Sequence, residues 1–263
     1  VLQRAGITLA RTTLANWMIR CGELIQPLIN LMRDQLLSSP LIHCDETGVQ
    51  VLKEPGRSAQ SGSYMWVQVA TLGTPVILFD YDPSRGGHVP ERLLSGYQGY
   101  LQTDGYSGYN SLSDQDDIIQ QGCWAHARRK FDEAIKAQGL GRKGKQKGKM
   151  PVMTGKAQVA LNYIRTLYRI EHEIADLPVD QKYQQRQLCS KPVLGELRQW
   201  LEKALPETLP KSSLGKALHY LHNQWKKLVR YCDAGYLRMD NNLAENAIRP
   251  FVIGRKNWLF SAS

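Results

Sequence analysis

The chain has 263 residues, of which 42% are hydrophobic and 22% charged, and its formal net charge is +10. That is enough apolar material for one large packed domain or two ordinary ones. It excludes a membrane span, because no window approaches ~18 apolar residues, and no basic, apolar and small-residue secretory pattern follows Val1.

Residues 1–38 read as a helical segment. TTLANWMIRCGELIQPLINLMRDQLL places Leu14, Trp17, Met18, Cys21, Leu24, Ile25, Leu28, Leu31 and Met32 at three-and-four spacing. Thr12 or Thr13 is a cap candidate, and Pro27 is expected to interrupt the helix. AGITLARTTLANW fits the turn and second helix of a helix-turn-helix, but a packing helix explains it more simply.

Residues 39–126 switch to strand periods. LIHCDETGVQVL, SYMWVQVAT and PVILFDYD are three strand-length runs joined by short Gly/Ser-rich or Gly-Thr-Pro turns, an antiparallel meander. HVPERLLSG then reads as a helix, GYLQTDG as a fourth strand and DIIQQGCW as a fifth, with a short helical or turn stretch between them. A meander followed by strand–helix–strand adds parallel strands to the sheet. This is the element order of the ribonuclease H-like fold: α/β, a mixed five-stranded sheet with flanking helices.

Residues 127–235 form a helical insertion. HARRKFDEAIKAQ, KAQVALNYIRTLYRIEHEIADL, VLGELRQWLEKAL and SLGKALHYLHNQWKKLVRYCD are amphipathic, and the basic loop GRKGKQKGKMP separates the first two. Residues 236–263 complete the core. MDNNLAENAIRP opens with a helix-start pattern and is expected to end at Pro250, leaving FVIGRKNWLF extended.

The charge is segregated. Residues 121–150 hold nine Lys/Arg against two Asp/Glu, whereas residues 41–120 hold ten Asp/Glu against four Lys/Arg. An anionic partner drawn to the basic part would be repelled by the acidic part unless a cation intervened. Mg²⁺ suits such a site, because it takes carboxylate, water and phosphate oxygens. Asp45 shares one strand face with His43 and Thr47, and Glu46 the other with Cys44 and Gly48. An acid amid an apolar run calls for either a metal or an Arg partner. Asp104 stands at a strand end, where α/β sheets hold ligands, although TDGY is also a good turn. Glu245 is a ligand candidate or one half of a surface pair with Arg249; Asp240 is its rival, with capping as the alternative role.

Cys123 and His126, with His219 and His222, contain ligand types for zinc, but a tetrahedral site needs all four to converge. Arg128, Arg129 and Lys130, with the loop from Arg142 and Lys143 to Lys149, are candidates for contacting DNA phosphates. Arg249, Arg255, Lys256, Asn257 and Trp258 suit a strand lying near Glu245. The five cysteines are odd in number and widely spaced, which points to a reducing cytoplasm.

The sequence resembles the transposases of the insertion sequence 66 family. The likeness rests on HCDET at 43–47, PSRGGHVPERLL at 83–94, LQTDGYSGYN at 101–110, GCWAHARRKF at 122–131 and DNNLAENAIRPFVIGRKNWLFS at 240–261. It implies Asp-Asp-Glu catalysis by Asp45, Asp104 and Glu245 with two Mg²⁺ ions, or Mn²⁺ in their place. It implies cleavage at the ends of a bacterial element and transfer of the 3′-hydroxyl to target DNA, at the nucleoid. A related nuclease or resolvase, or an inactive DNA-binding remnant, is the alternative. Cys123, Trp124 and His126 resemble pairs that lock such insertions to the core. Partners implied are DNA, accessory proteins of the element and a second copy on DNA. Family members carry further chain on both sides, which implies a partial protein.

Overall fold

A computed structural model describes residues 4, 6, 8–114, 117–137 and 155–258. The basic loop with Arg142 and Lys143 lies outside these residues. Five strands, β1 (Leu41–Gln50), β2 (Gly62–Ala70), β3 (Val76–Asp82), β4 (Gly99–Gln102) and β5 (Ile118–Gln121), form one sheet in the order β3-β2-β1-β4-β5. β1–β2 and β2–β3 pair antiparallel, β1–β4 and β4–β5 parallel. This is the ribonuclease H-like arrangement expected from the element order.

The sheet is covered on two faces. On one, Ile42, Cys44, Trp66, Leu78 and Leu101 pack with Val89 and Leu93 of α2 (His88–Leu93), with Tyr109 of the 3₁₀ turn Ser107–Asp114, and with Leu36 of α1 (Arg11–Leu37). On the other, Val67 and Val69 pack against Ala244 and Ile248 of α9 (Asn242–Trp258). Burying a large apolar side chain contributes roughly 1.5–3 kcal/mol, so the two faces fix where the strand ends point. The pairing of β1 with β2 runs without a bulge, Asp45 opposite Val67 and Glu46 opposite Trp66. Asp45 and Glu46 therefore face opposite sides, as strand alternation requires.

The helical block has its own core. Trp124, Phe131, Ile164, Leu167, Leu197, Leu201, Leu218 and Leu221 bring together α3 (Trp124–Ala137), α4 (Lys156–Glu173), α6 (Lys191–Ala204) and α7 (Ser213–Asn223). α5 (Val179–Gln185) runs through a π turn, Arg186–Ser190, into α6, an element the sequence reading did not separate. α8 (Trp225–Val229) is split from α7 at Gln224, where one continuous helix was expected.

Two prolines do not break their helices. α1 runs through Pro27 and α9 through Pro250 to Trp258, so the expected extended segment is helical. Both prolines are exposed. Water can therefore satisfy the carbonyl that each proline leaves without a donor. Much of α1 is also uncovered, with Trp17, Met18, Leu24, Ile25, Leu28 and Leu31 all exposed.

Candidate active site

β1 is buried over its first four residues and opens to half-buried from Asp45 onward. Asp45 thus sits where the strand leaves the core. Its Oδ1 accepts the backbone N–H of Glu46 at 2.9 Å. Burial pushes its carboxyl up to about 7, the charges of Glu46, Asp104 and Glu245 push the same way, and the Glu46 N–H opposes them. Asp104 and Glu245 are thus near enough to act on Asp45. Among the described residues, no Lys or Arg pairs with it, so the Arg-partner alternative is not realised.

Asp104 lies two residues beyond β4. Its Oδ1 accepts the Tyr106 N–H at 2.8 Å, and Tyr220 donates its hydroxyl to the Asp104 carbonyl at 2.7 Å. Gly105 follows with φ +88° and packs against the Gln224 side chain. A side chain at 105 would be strained by φ and crowded by Gln224, so this glycine sets the turn. The turn role and the site position are compatible.

Glu46 belongs to a second polar group that the sequence reading left unassigned. Arg85 donates from Nε and Nη2 to Glu46 Oε1 at 2.9 and 2.6 Å, and Tyr109 donates to Oε2 at 2.9 Å. The Arg85 guanidinium lies over the Tyr106 ring at 3.7 Å, within cation–π range. Burial raises the Glu46 carboxyl, the Arg85 hydrogen bond lowers it, and Asp104 raises it again. Arg85 is therefore a half-exposed cation beside the carboxylates. Its signal was its place in PSRGG.

Glu245 projects from the first turn of α9. Its Oε2 accepts from Arg129 Nη2 at 3.2 Å, and its Oε1 faces His126 Nδ1 at 3.5 Å. The surface pair with Arg249 is thus replaced by a pair with α3. Asn241, fully buried, positions the helix. It donates from Nδ2 to the Cys44 carbonyl at 2.8 Å, and its Oδ1 lies 3.1 Å from His43 Nδ1. Its backbone N–H donates to Cys123 Sγ at 3.2 Å. Asp240 accepts the Asn242 N–H at 3.2 Å and the Tyr168 hydroxyl at 3.2 Å, a cap-like role.

The other basic candidates divide. Arg128 pairs loosely with Asp132 at 3.9 Å, and Lys130 lies over the Tyr220 ring. Arg255 donates to Thr47 Oγ1 at 3.0 Å and to the Gly48 carbonyl, so it is anchored to β1. Arg249 and Lys256 are exposed. Trp124 is fully buried in the helical core, with its Nε1 donating to the Leu228 carbonyl at 2.9 Å. His219 and His222 do not join Cys123 and His126: among the described residues, the third member of that group is Glu245.

The donor set suits a hard divalent cation. Asp45 on β1, Asp104 in the turn beyond β4 and Glu245 on α9 carry carboxylate oxygens, and a cation would relieve the repulsion at Asp45; the group whose ligand atoms gather most closely among the described residues is Cys123, His126 and Glu245.

The whole chain, residues 1–263, matches the family described as transposase IS66 family. It is similar to the uncharacterized protein y4qI of Sinorhizobium fredii (strain NBRC 101917 / NGR234), 28% identical over 276 residues, 99% of this chain and 48% of that protein. It is also similar to the uncharacterized protein y4jD of the same organism, 29% identical over 267 residues, 97% of this chain and 49% of that one. The chain therefore spans about half the length of the curated relatives it matches. By this match over all 263 residues, the chain belongs to the IS66 family of transposases.

Proposed function

We propose that this chain carries the phosphoryl-transfer centre of a transposase that cleaves DNA at element ends and joins the freed 3′-hydroxyl to target DNA. The observation that supports this most is Asp45, a largely buried strand carboxylate lacking a basic partner among the described residues and standing against the charges of Glu46, Asp104 and Glu245. Two Mg²⁺ ions, or Mn²⁺, would supply activation of the attacking oxygen and stabilisation of the leaving one. Asp45 would hold the site from β1, Asp104 from the turn that follows the adjacent parallel strand β4, and Glu245 from α9. Arg85, fixed by Glu46 and Tyr106, presents its remaining N–H face to a scissile or flanking phosphate. Lys256 and Arg249 on α9, with Arg128 and Lys130 on α3, hold the strand by charge rather than by base readout. Element-end and target DNA are the partners; synapsis of two ends calls for a dimer on DNA.

The test is strand cleavage of an element-end duplex in Mg²⁺. Asp45→Asn is expected to abolish cleavage while leaving DNA binding intact or stronger, because a negative charge is removed. Full cleavage by that variant overturns the assignment. Cleavage without joining to target DNA identifies a nuclease or resolvase instead.

A further inference from the structure

Cys123, His126 and Glu245 each bring a ligand atom within 4.8 Å of the others. His126 Nδ1 and Glu245 Oε1 stand 3.5 Å apart. Both atoms are shut off from solvent and have no hydrogen bond. Such orphaned polar atoms destabilise a fold unless something occupies the space between them. Cys123 Sγ is buried directly before the start of α3 and accepts the Asn241 N–H at 3.2 Å, so the sulfur already faces the start of α9.

We infer that Cys123, His126 and Glu245 form a binding site for a Zn²⁺-class divalent ion, distinct in chemistry from the all-carboxylate set. Zn–N, Zn–O and Zn–S bonds of about 2.0–2.3 Å give tetrahedral ligand–ligand edges of roughly 3.3–3.6 Å. The Nδ1–Oε1 separation of 3.5 Å already has that value, and from the 4.8 Å limit the sulfur needs to approach by at most roughly 1.2–1.5 Å. Thiolate and imidazole select a softer ion than Mg²⁺ does. Three protein ligands leave a fourth position open. Arg129 Nη1 lies 3.2 Å from His126 Nε2. Ligation through Nδ1 puts the ring proton on Nε2, so Arg129 leaves the ring and keeps Glu245 Oε2, which it already holds at 3.2 Å. The ion then ties the start of α3 to the first turn of α9. The site shares Glu245 with the cleavage reading but does not depend on it, since only Oε1 is engaged.

The experiment is a titration of the chelator-treated protein with cobalt(II) chloride, with the exposed Cys21 and Cys189 changed to Ser. One equivalent is expected to give tetrahedral visible bands and a thiolate-to-cobalt charge-transfer band, both displaced by Zn²⁺. Cys123→Ser removes the charge-transfer band. His126→Gln weakens binding by more than the ~10–100-fold typical of an outer-shell change, with circular dichroism checking that the variant is folded. Asp45→Asn and Asp104→Asn leave the spectrum unchanged. No charge-transfer band, or one that survives Cys123→Ser, overturns the site in favour of a direct His126–Glu245 contact. A spectrum lost in Asp45→Asn overturns it too, because the cobalt then occupies the carboxylate set. An intact cobalt site in a protein that never cleaves DNA refutes the cleavage reading alone.

Discussion

Asp45→Asn should stabilise the metal-free protein. Burial and three neighbouring carboxylates raise the Asp45 carboxyl from 3.8 to about 7. A raised folded-state value means its contribution is fully present below pH 3.8 and is lost as pH rises through about 7. One pKa unit corresponds to about 1.4 kcal/mol, so ionised Asp45 costs the fold up to roughly 4 kcal/mol at pH 8. Asparagine keeps an oxygen for the Glu46 N–H and turns an amide donor toward the remaining carboxylates. Allowing for relaxation, the expected gain is about 2–4 kcal/mol at pH 8 in chelator, or ~4–16 °C in Tm for a chain of this size. Below pH 4 the two proteins should match. Adding Mg²⁺ at pH 8 should raise the parent and leave the variant nearly unmoved. Urea and thermal unfolding, followed by circular dichroism at both pH values, measure this. A variant less stable than the parent at pH 8 in chelator would refute the electrostatic reasoning.

Asn241→Ala removes two buried side-chain hydrogen bonds, to the Cys44 carbonyl and to His43, and should cost about 2–4 kcal/mol in urea unfolding; a loss below ~0.5 kcal/mol would show that Asn241 does not pin α9. Arg85→Ala leaves the buried Glu46 carboxylate without its partner. Because Arg85 is itself 40% exposed, the loss at pH 8 should be only about 1–3 kcal/mol. It should shrink on acidification as Glu46 takes up a proton, and a pH-independent loss would rule out the ion pair as its source.

The sheet was legible because its signals are local. Strand-length apolar runs, short turns and one strand–helix–strand step determine both the order and the direction of the strands. Asp45 was a candidate from its strand position and Asp104 from its place at a strand end, where a turn was an equal reading; the alternation of Asp45 and Glu46 holds in the unbulged β1–β2 register. What sequence did not reveal depends on contacts between distant segments. DNN suggested a capping signal, but Asn241 spends its side chain on β1 rather than on its own helix. Glu245 was read beside Arg249 because i,i+4 neighbours are visible in a sequence; its ion-pair partner Arg129 is 116 residues away. Pro250 was read as a stop because a proline's exposure, which lets the helix continue, is not written in its neighbours.

Asn241 also sets a timetable. The bond joining it to β1 spans 197 residues. At ~5–20 residues per second of synthesis, β1 leaves the ribosome roughly 10–40 s before its partner is made. Throughout that interval the sheet can form with Asp45 and Asp104 in place, but α9 and its glutamate do not yet exist. A nascent chain therefore lacks the third member of the proposed acid set until nearly all of this region has been synthesised. The long separation in sequence acts as a delay, and a truncated product ending within the helical block would lack both the Asn241 tie and Glu245.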